Sequence, residues 1–394
     1  MKKLYLAGFL LLAAGAARAQ SAPTPYPFAA AIATQQAAQP GGNQLAAWRY
    51  AAIGRDQAAL QAWDQDFHNP RHPLPRFDSL AFAAYHATDA RAYVLARARA
   101  TRIVIINEAH HVPRHRVFTA SLLPALAAQG YRYLAVEGLA GPDSLLSERG
   151  YPLRTSGAYI SEPCYGNLLR TALRAGMQVR AYDYGYPEDD PANRLRSREL
   201  GQARNIQRIL AADPQAKIII HCGFGHLSEA PSAEGDKWMA AYLKELTGLD
   251  PLTLDQTKLT EAANLAGSNR YYRPELGSQD AVLLNAQQQA FPLDAQWLRV
   301  DANVYHPPLR YVQGRPDYRF TEGRQPVAVG TKITLPTPYQ VLAYVAGEPD
   351  EAVPVDVLEV STAADAATLA LAPGRYRIVA RSQGGQQQTF ELKR

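Results

Sequence analysis

Apolar and polar positions along the chain change rhythm three times. Ile103–Ile106 is an unbroken β-branched run, which predicts a strand buried on both faces. Pro113 suits a first helical turn, and Val117, Phe118, Leu122, Leu123 and Leu126 continue a helix that Gly130 ends. The same alternation follows downstream. Strands are predicted over 133–136, 179–182 and 217–220, with helices over 166–175, 192–212 and 234–247 and an insertion over 138–162. Strand and helix in turn predict an α/β core whose parallel sheet is flanked by helices.

Outside that core the pattern differs. Residues 20–43, rich in Ala, Pro, Gln and Gly, predict a loose leader. Residues 44–100 read as helical, including the breaker-poor stretch Leu80–Ala98, whereas 250–320 show no clear periodicity. Short alternating runs over 339–345, 354–360, 368–371, 376–380 and 389–392 predict a small antiparallel β-sandwich. The expected division is therefore a signal peptide over 1–19, a helical N-terminal region over 20–99, an α/β core over 100–320 and a β-sandwich module over 325–394.

The start of the chain adds a location. Lys2 and Lys3, the apolar run Leu4–Ala14, and Ala17-Arg18-Ala19 form a secretory signal pattern cleaved near Ala19. The run falls short of the roughly 18 apolar residues a spanning helix needs. The expectation is export, periplasmic or secreted, with no transmembrane segment after signal removal. With 41 basic and 36 acidic residues the formal charge is +5, and three of the basic residues lie in the signal. No basic footprint suggests nucleic acid as a partner; the expected partner is a small-molecule or peptide substrate. Two cysteines, Cys164 and Cys222, leave a disulfide open, with two free buried thiols the plainer expectation.

Parallel sheets bind ligands outside the carboxyl ends of their strands. Each predicted strand ends there in an ionisable group. After the first come Glu108, His110 and His111; after the second, Glu137; after the third, Asp183; around the end of the fourth, His221 and His226. Carboxylates and imidazoles bind divalent metals or move protons near neutral pH. Between the adjacent histidines, His111 is the one placed in the site. Arg198, Gln202 and Asn205 share one helix face at i, i+4 and i+7, with Glu199 expected to point away. No phosphate loop, Gly-x-Ser-x-Gly elbow or His-Glu-x-x-His helix is present.

These residues resemble the superfamily that joins erythromycin esterase-like proteins, ChaN-like haem-uptake lipoproteins and TraB/Tiki proteins. That family opens with a strand followed by Gly-Glu-x-(x)-His; here Asn107-Glu108-Ala109-His110-His111 stands, with Asn107 for the Gly. Val136-Glu137, Glu162-Pro163-Cys164-Tyr165-Gly166, Arg198-Glu199 with Asn205, and Gly225-His226-Leu227 resemble its later motifs, covering roughly 100–248. The resemblance implies a shared fold more than a shared reaction.

The expected function is hydrolysis of an ester or amide bond, metal-dependent peptidase-like or esterase-like. Glu108, His111, Glu137, His226 and Arg198 would be catalytic, and His110, Asp183, His221 and Asn205 substrate-binding. If a divalent metal takes part, Glu108, His111, Glu137 and His226 would ligate it. The alternative expectation is a non-catalytic exported binding protein, for haem or another ligand, using one exposed histidine.

Overall fold

The structure is a computed structural model that describes residues 26–67, 76–141, 143, 145–185, 193–232, 235–293 and 298–394. The expected signal peptide lies outside the described residues.

Four helices lead: α1 (Ala29–Ala38), α2 (Gly42–Ala52), α3 (Asp56–Asp66) and α4 (Arg76–Phe82). Strand β1 (His86–Asp89), α5 (Ala90–Arg97), β2 (Ile103–Glu108), α6 (Pro113–Ala128), β3 (Tyr131–Val136), α7 (Leu146–Arg149), α8 (Pro163–Arg174), β4 (Gln178–Ala181), α9 (Arg194–Ala212), β5 (Lys217–Gly223) and α10 (Met239–Thr247) follow. Then come β6 (Leu252–Leu259), β7 (Ala281–Leu284), β8 (Ala302–Tyr305) and the short pair β9 (Tyr311–Val312) and β10 (Arg315–Pro316). Six strands close the chain: β11 (Gln325–Ala328), β12 (Tyr339–Val345), β13 (Asp356–Val360), β14 (Thr368–Leu371), β15 (Arg375–Ser382) and β16 (Gln387–Lys393).

Among the described residues the main sheet runs β1-β7-β8-β6-β2-β5-β3-β4. Strands β8 to β4 in that order are parallel, while at one edge β7 runs antiparallel to both its neighbours, β8 and β1. The α/β class with a small C-terminal antiparallel β unit is thus the observed architecture. Three features of the reading need correction. Residues 29–38 of the supposed loose leader form α1. The Leu80–Ala98 stretch holds β1 between two helices, because His86–Asp89 pairs with Leu284–Ala281. The unassigned 250–320 stretch supplies β6, β7 and β8.

The pleat decides which groups meet. Val104 and Ile106 of β2, Leu134 and Val136 of β3, and Ile219 of β5 pack against α5, α6 and α8. Ile103 and Ile105, Ala135, and Ile218 and Ile220 pack against α9 and α10. Side chains alternate along a strand, so Glu108 and His221 fall on the α6/α8 face. Glu137 continues β3 onto the α9 face.

The four-stranded sheet β13-β12-β15-β16 is covered on one face by β11 and β14. Its other face, through Leu342, Tyr344, Val357 and Val379, packs on Ile32, Ala46 and Ile53 of the N-terminal helices. Asp56 at the start of α3 bonds Tyr318 Oη and, at 3.2 Å, Arg319. Arg319 also lies 3.8 Å from Asp356 of β13. Asp56→Ala would leave a buried guanidinium short of its main partner, so we expect a loss of about 3 kcal/mol, in the range for breaking a buried pair. Urea unfolding would measure it; a loss below about 1 kcal/mol would show that Asp356 alone suffices.

Candidate functional site

The carboxyl ends of β2, β5 and β3 lie side by side. Register places Glu108 opposite Gly223, and His221 opposite both Ile106 and Val136. Two carboxylate centres result, one on each face of this edge.

The first centre is Glu108, 1% exposed. Arg116 of α6 holds both its oxygens, at 2.6 and 2.7 Å. His221 Nε2 meets one oxygen and His110 Nδ1 the other, each at 2.8 Å. Arg116 continues to Glu162 at 2.9 Å and to the carbonyl of His110 at 2.8 Å. Glu162 also caps α8 by accepting from the Tyr165 N–H. Burial works against the charge on Glu108, yet the Arg116 guanidinium and the hydrogen bonds from Arg116, His110 and His221 hold its pKa well below the usual range. Glu108 is therefore an ionised acceptor, and the ring nitrogens facing it carry protons. His110 therefore donates to Glu108 from Nδ1, and its Nε2 is the nitrogen turned away from that carboxylate.

The second centre is Glu137. One oxygen takes Arg198 of α9 at 2.6 Å, and the other accepts from the Gly223 N–H. Arg198 also pairs with Asp183 at 2.9 Å, and Gln202 holds Asp183 from one turn further on. His226 lies 3.6 Å from Glu137, and its Nδ1 donates to buried Glu199 at 2.8 Å. Burial opposes protonation of His226, but the carboxylates of Glu199 and Glu137 outweigh it and raise its pKa to about 10. The two carboxylates thus favour the imidazolium, whereas Arg198 Nη1, which can only donate, lies 3.1 Å from Nε2 in a contact that the neutral ring accepts.

His110 joins the centres. Its ring stacks on Tyr159 with centroids 3.9 Å apart and meets the Phe224 ring edge-on at 5.3 Å. A Cβ at Gly223 would sit 2.7 Å from His110 Nε2 and 3.1 Å from Glu137. Nε2 thus faces the Glu137 side across a gap that only glycine leaves open.

The expected site residues separate accordingly. Glu108, His110, Glu137, Asp183, Arg198, His221 and His226 converge. His111 does not join the carboxylates: it stacks on Trp63 at 4.1 Å, and burial lowers its pKa to about 3. His221 is fully enclosed, and Asn205 binds the backbone carbonyls of Tyr182 and Tyr184, so neither faces a substrate. Glu199 does not point away; α9 packs beneath the turn carrying His226 and brings the two together. Arg116, Tyr159, Phe224 and Trp63 escaped the sequence reading, which held Glu162 only as part of a family-like segment. Arg116 had a signal: a cation in the first turn of a helix opposes the helix dipole and needs a carboxylate to hold it.

The expected metal set is not assembled. Among the described residues no group of three or more His, Cys, Asp or Glu is arranged around a metal position. Arg116 and Arg198 place fixed cations on the two carboxylates that would have to ligate one. The adjacent histidines do not suit haem either, since each is buried beneath an aromatic ring. Cys164 and Cys222 are free and buried, and burial pushes both thiols up.

No family model matches the chain. No curated protein matches it either. Three solved structures show faint likeness. The type III effector HopBA1 shares 18% identity over 51% of this chain and 95% of its own, with a TM-score of 0.31. RRSP, a MARTX toxin effector domain from Vibrio vulnificus CMCP6, shares 17% over 57% of this chain and 44% of its own, at 0.33. The C-terminal region of Pasteurella multocida toxin, described with a thiol-protease like catalytic triad, shares 14% over 61% and 36%, at 0.30. The chain thus spans less than half of the two toxins. Likeness of this degree carries no argument about function.

Two outcomes are expected. Gly223→Ala should displace the His110 ring, because a Cβ would approach it to 2.6 Å; a crystal structure of the variant with His110 unmoved would refute this. His226 has a raised folded-state pKa. Its stabilisation is full below the unfolded value of about 6.5, and is lost as pH rises through about 10. Unfolding free energy should therefore fall more steeply between pH 7 and 10 in the wild type than in His226→Asn. Equal slopes would mean the imidazole is not charged in the folded protein.

Proposed function

We propose that the chain is an exported hydrolase of an ester or amide bond, related to the erythromycin esterase-like, ChaN-like and TraB/Tiki superfamily, with water as its nucleophile. One observation carries this reading: ionised Glu108 holds His110 by Nδ1, so that Nε2, the nitrogen a base would use, faces across Glu137 to His226, whose pKa is raised. A base and an acid with opposed environments are what hydrolysis at neutral pH requires.

His110 Nε2 takes a proton from water while the oxygen attacks the substrate carbonyl. Arg198, whose side chain is 28% exposed, and the His226 imidazolium face the developing oxyanion. His226 then gives its Nε2 proton to the leaving oxygen or nitrogen as the carbonyl carbon–heteroatom bond breaks. Glu108 keeps His110 in the productive tautomer, and Glu199 orients His226 in the same way. Glu137 spaces the two imidazoles and tempers the charge of Arg198. Neither thiol serves as nucleophile, being buried and protonated, and no step is routed through a metal.

A panel of carboxylic esters and peptides tests the reading. His110→Ala should lower kcat/KM by about 10²- to 10⁴-fold, the usual worth of general acid–base catalysis. His111→Ala should retain it within a few-fold, and chelator should leave the wild-type rate unchanged. Loss in His111→Ala with retention in His110→Ala would reverse the assignment. Restoration of a chelator-inhibited rate by a divalent ion would replace the mechanism.

A further inference from the structure

A large cleft lies away from the Glu/His site. It encloses about 1190 Å³ between α6, α8, the approach to β7 and the β14–β15 hairpin. That exceeds the roughly 300–1,000 Å³ of an ordinary small-molecule pocket. None of His110, Glu137, Arg198 or His226 lines it.

Its walls carry Arg91, Arg114, Arg170, Arg174, Arg324 and Arg375, delivered by five separate stretches of chain. The acidic residues there are Asp89, Asp280, Asp317 and Glu322, and three are already engaged. Asp89 caps α5 through the Ala92 N–H, Asp280 holds His306 at 2.8 Å and Arg114 at 3.6 Å, and Glu322 holds Arg324 at 3.3 Å. Asp317 keeps one buried oxygen without a hydrogen-bond partner. On the basic side, Arg91, Arg174 and Arg375 have no salt-bridge partner among the described residues. Arg170 is 3% exposed and spends two nitrogens on Glu348, but its Nη1 has no partner. Burial and the nearby charges of Arg324 and Arg170 pull the pKa of Arg174 down against the opposing pull of Glu322. Arg324, Arg394 and Arg174 all act on the Tyr376 ring that closes this end of the cleft.

We propose that this cleft binds a phosphate- or sulfate-bearing ligand larger than a single inorganic ion. A carboxylate matches one guanidinium fork. A tetrahedral oxyanion offers oxygens in several directions and suits guanidiniums that arrive from several elements. The length of the cleft, with Arg91 and Arg114 near one end and Arg174, Arg324 and Arg375 near the other, suits repeated anionic groups. The proposal is independent of the hydrolase reading.

Calorimetric titration of the full chain with inorganic tripolyphosphate, and separately with a sulfated oligosaccharide, at about 50 and 300 mM salt provides the test. Binding of at least one probe is expected, weakening with salt as exposed charge pairs do. The exposed pair Arg174→Glu/Arg375→Glu should weaken it at least tenfold. Arg99→Glu/Arg132→Glu, equal in charge change but outside the cleft, should weaken it less than threefold. Thermal melts confirm that both variants fold, and Arg375→Glu alone serves if the first pair does not. Preference for one probe identifies phosphate or sulfate as the recognised group. No binding of either probe at about 1 mM and low salt, or equal loss in both double variants, overturns the proposal.

Discussion

The bidentate contact between Arg116 and Glu108 is the constraint from which the site follows. Both side chains are withdrawn from water, at 0% and 1% exposure. Two ions cannot be buried that way unless nearly every donor and acceptor is used. Arg116 therefore also binds Glu162 and the His110 carbonyl and lies 4.9 Å from the Tyr165 ring centroid. Glu108 in turn takes both His110 and His221. One ion pair thus ties α6, β2, β5 and the start of α8 together. It also keeps Glu108 charged, and a neutral acid there could not set the His110 tautomer.

The second centre is built on a different principle. Glu137, Asp183 and Glu199 are compensated by Arg198 and His226, which leaves a small negative excess to hold the proton on His226. Because the pleat puts Glu137 on the α9 face and Glu108 on the α6/α8 face, the two carboxylates do not compete for one cation. Gly223 lies between them and transmits position from one to the other. The N-terminal helices close the assembly, since Trp48 of α2 packs on Tyr159 and Trp63 of α3 on His111 and Phe224.

The sequence was legible where burial is uniform. Unbroken apolar runs marked β2, β3 and β5, and Glu108, Glu137 and, a short turn later, His226 follow them. It was opaque where polar residues are buried by mutual bonding. In β6, Thr253 binds Asp301 and Glu229, Asp255 binds Asn107, and Gln256 binds Asn107 and His306, so a fully built-in strand carries a surface-like pattern. Choosing His110 over His111 was beyond periodicity. Both follow the end of β2, and what separates them is Tyr159 and Trp63, brought from distant segments. Glu199 misled for the opposite reason: beside Arg198 on a polar helix it suggested solvent, yet α10 and the His226 turn cover it.

The turn that carries His226 shows how Asn107 fits. Phe224 is a non-glycine residue at φ 40°, in the left-handed region, which is costly unless the surroundings impose it. Its carbonyl accepts from Asn107 Nδ2 at 2.7 Å, and Asn107 Oδ1 accepts from the Gln256 N–H at 2.7 Å. The buried Asn107 amide thus clamps the strained residue to β6. With the backbone so held, the Phe224 ring stands against His110 and stacks parallel to Trp63, and two residues later His226 meets Glu199. A glycine at 107, as in the family motif this segment resembles, would supply none of these bonds. Phe224, Asn107 and β6 therefore form one unit. The polar residues that made β6 unreadable are the ones that hold the turn between the two histidines.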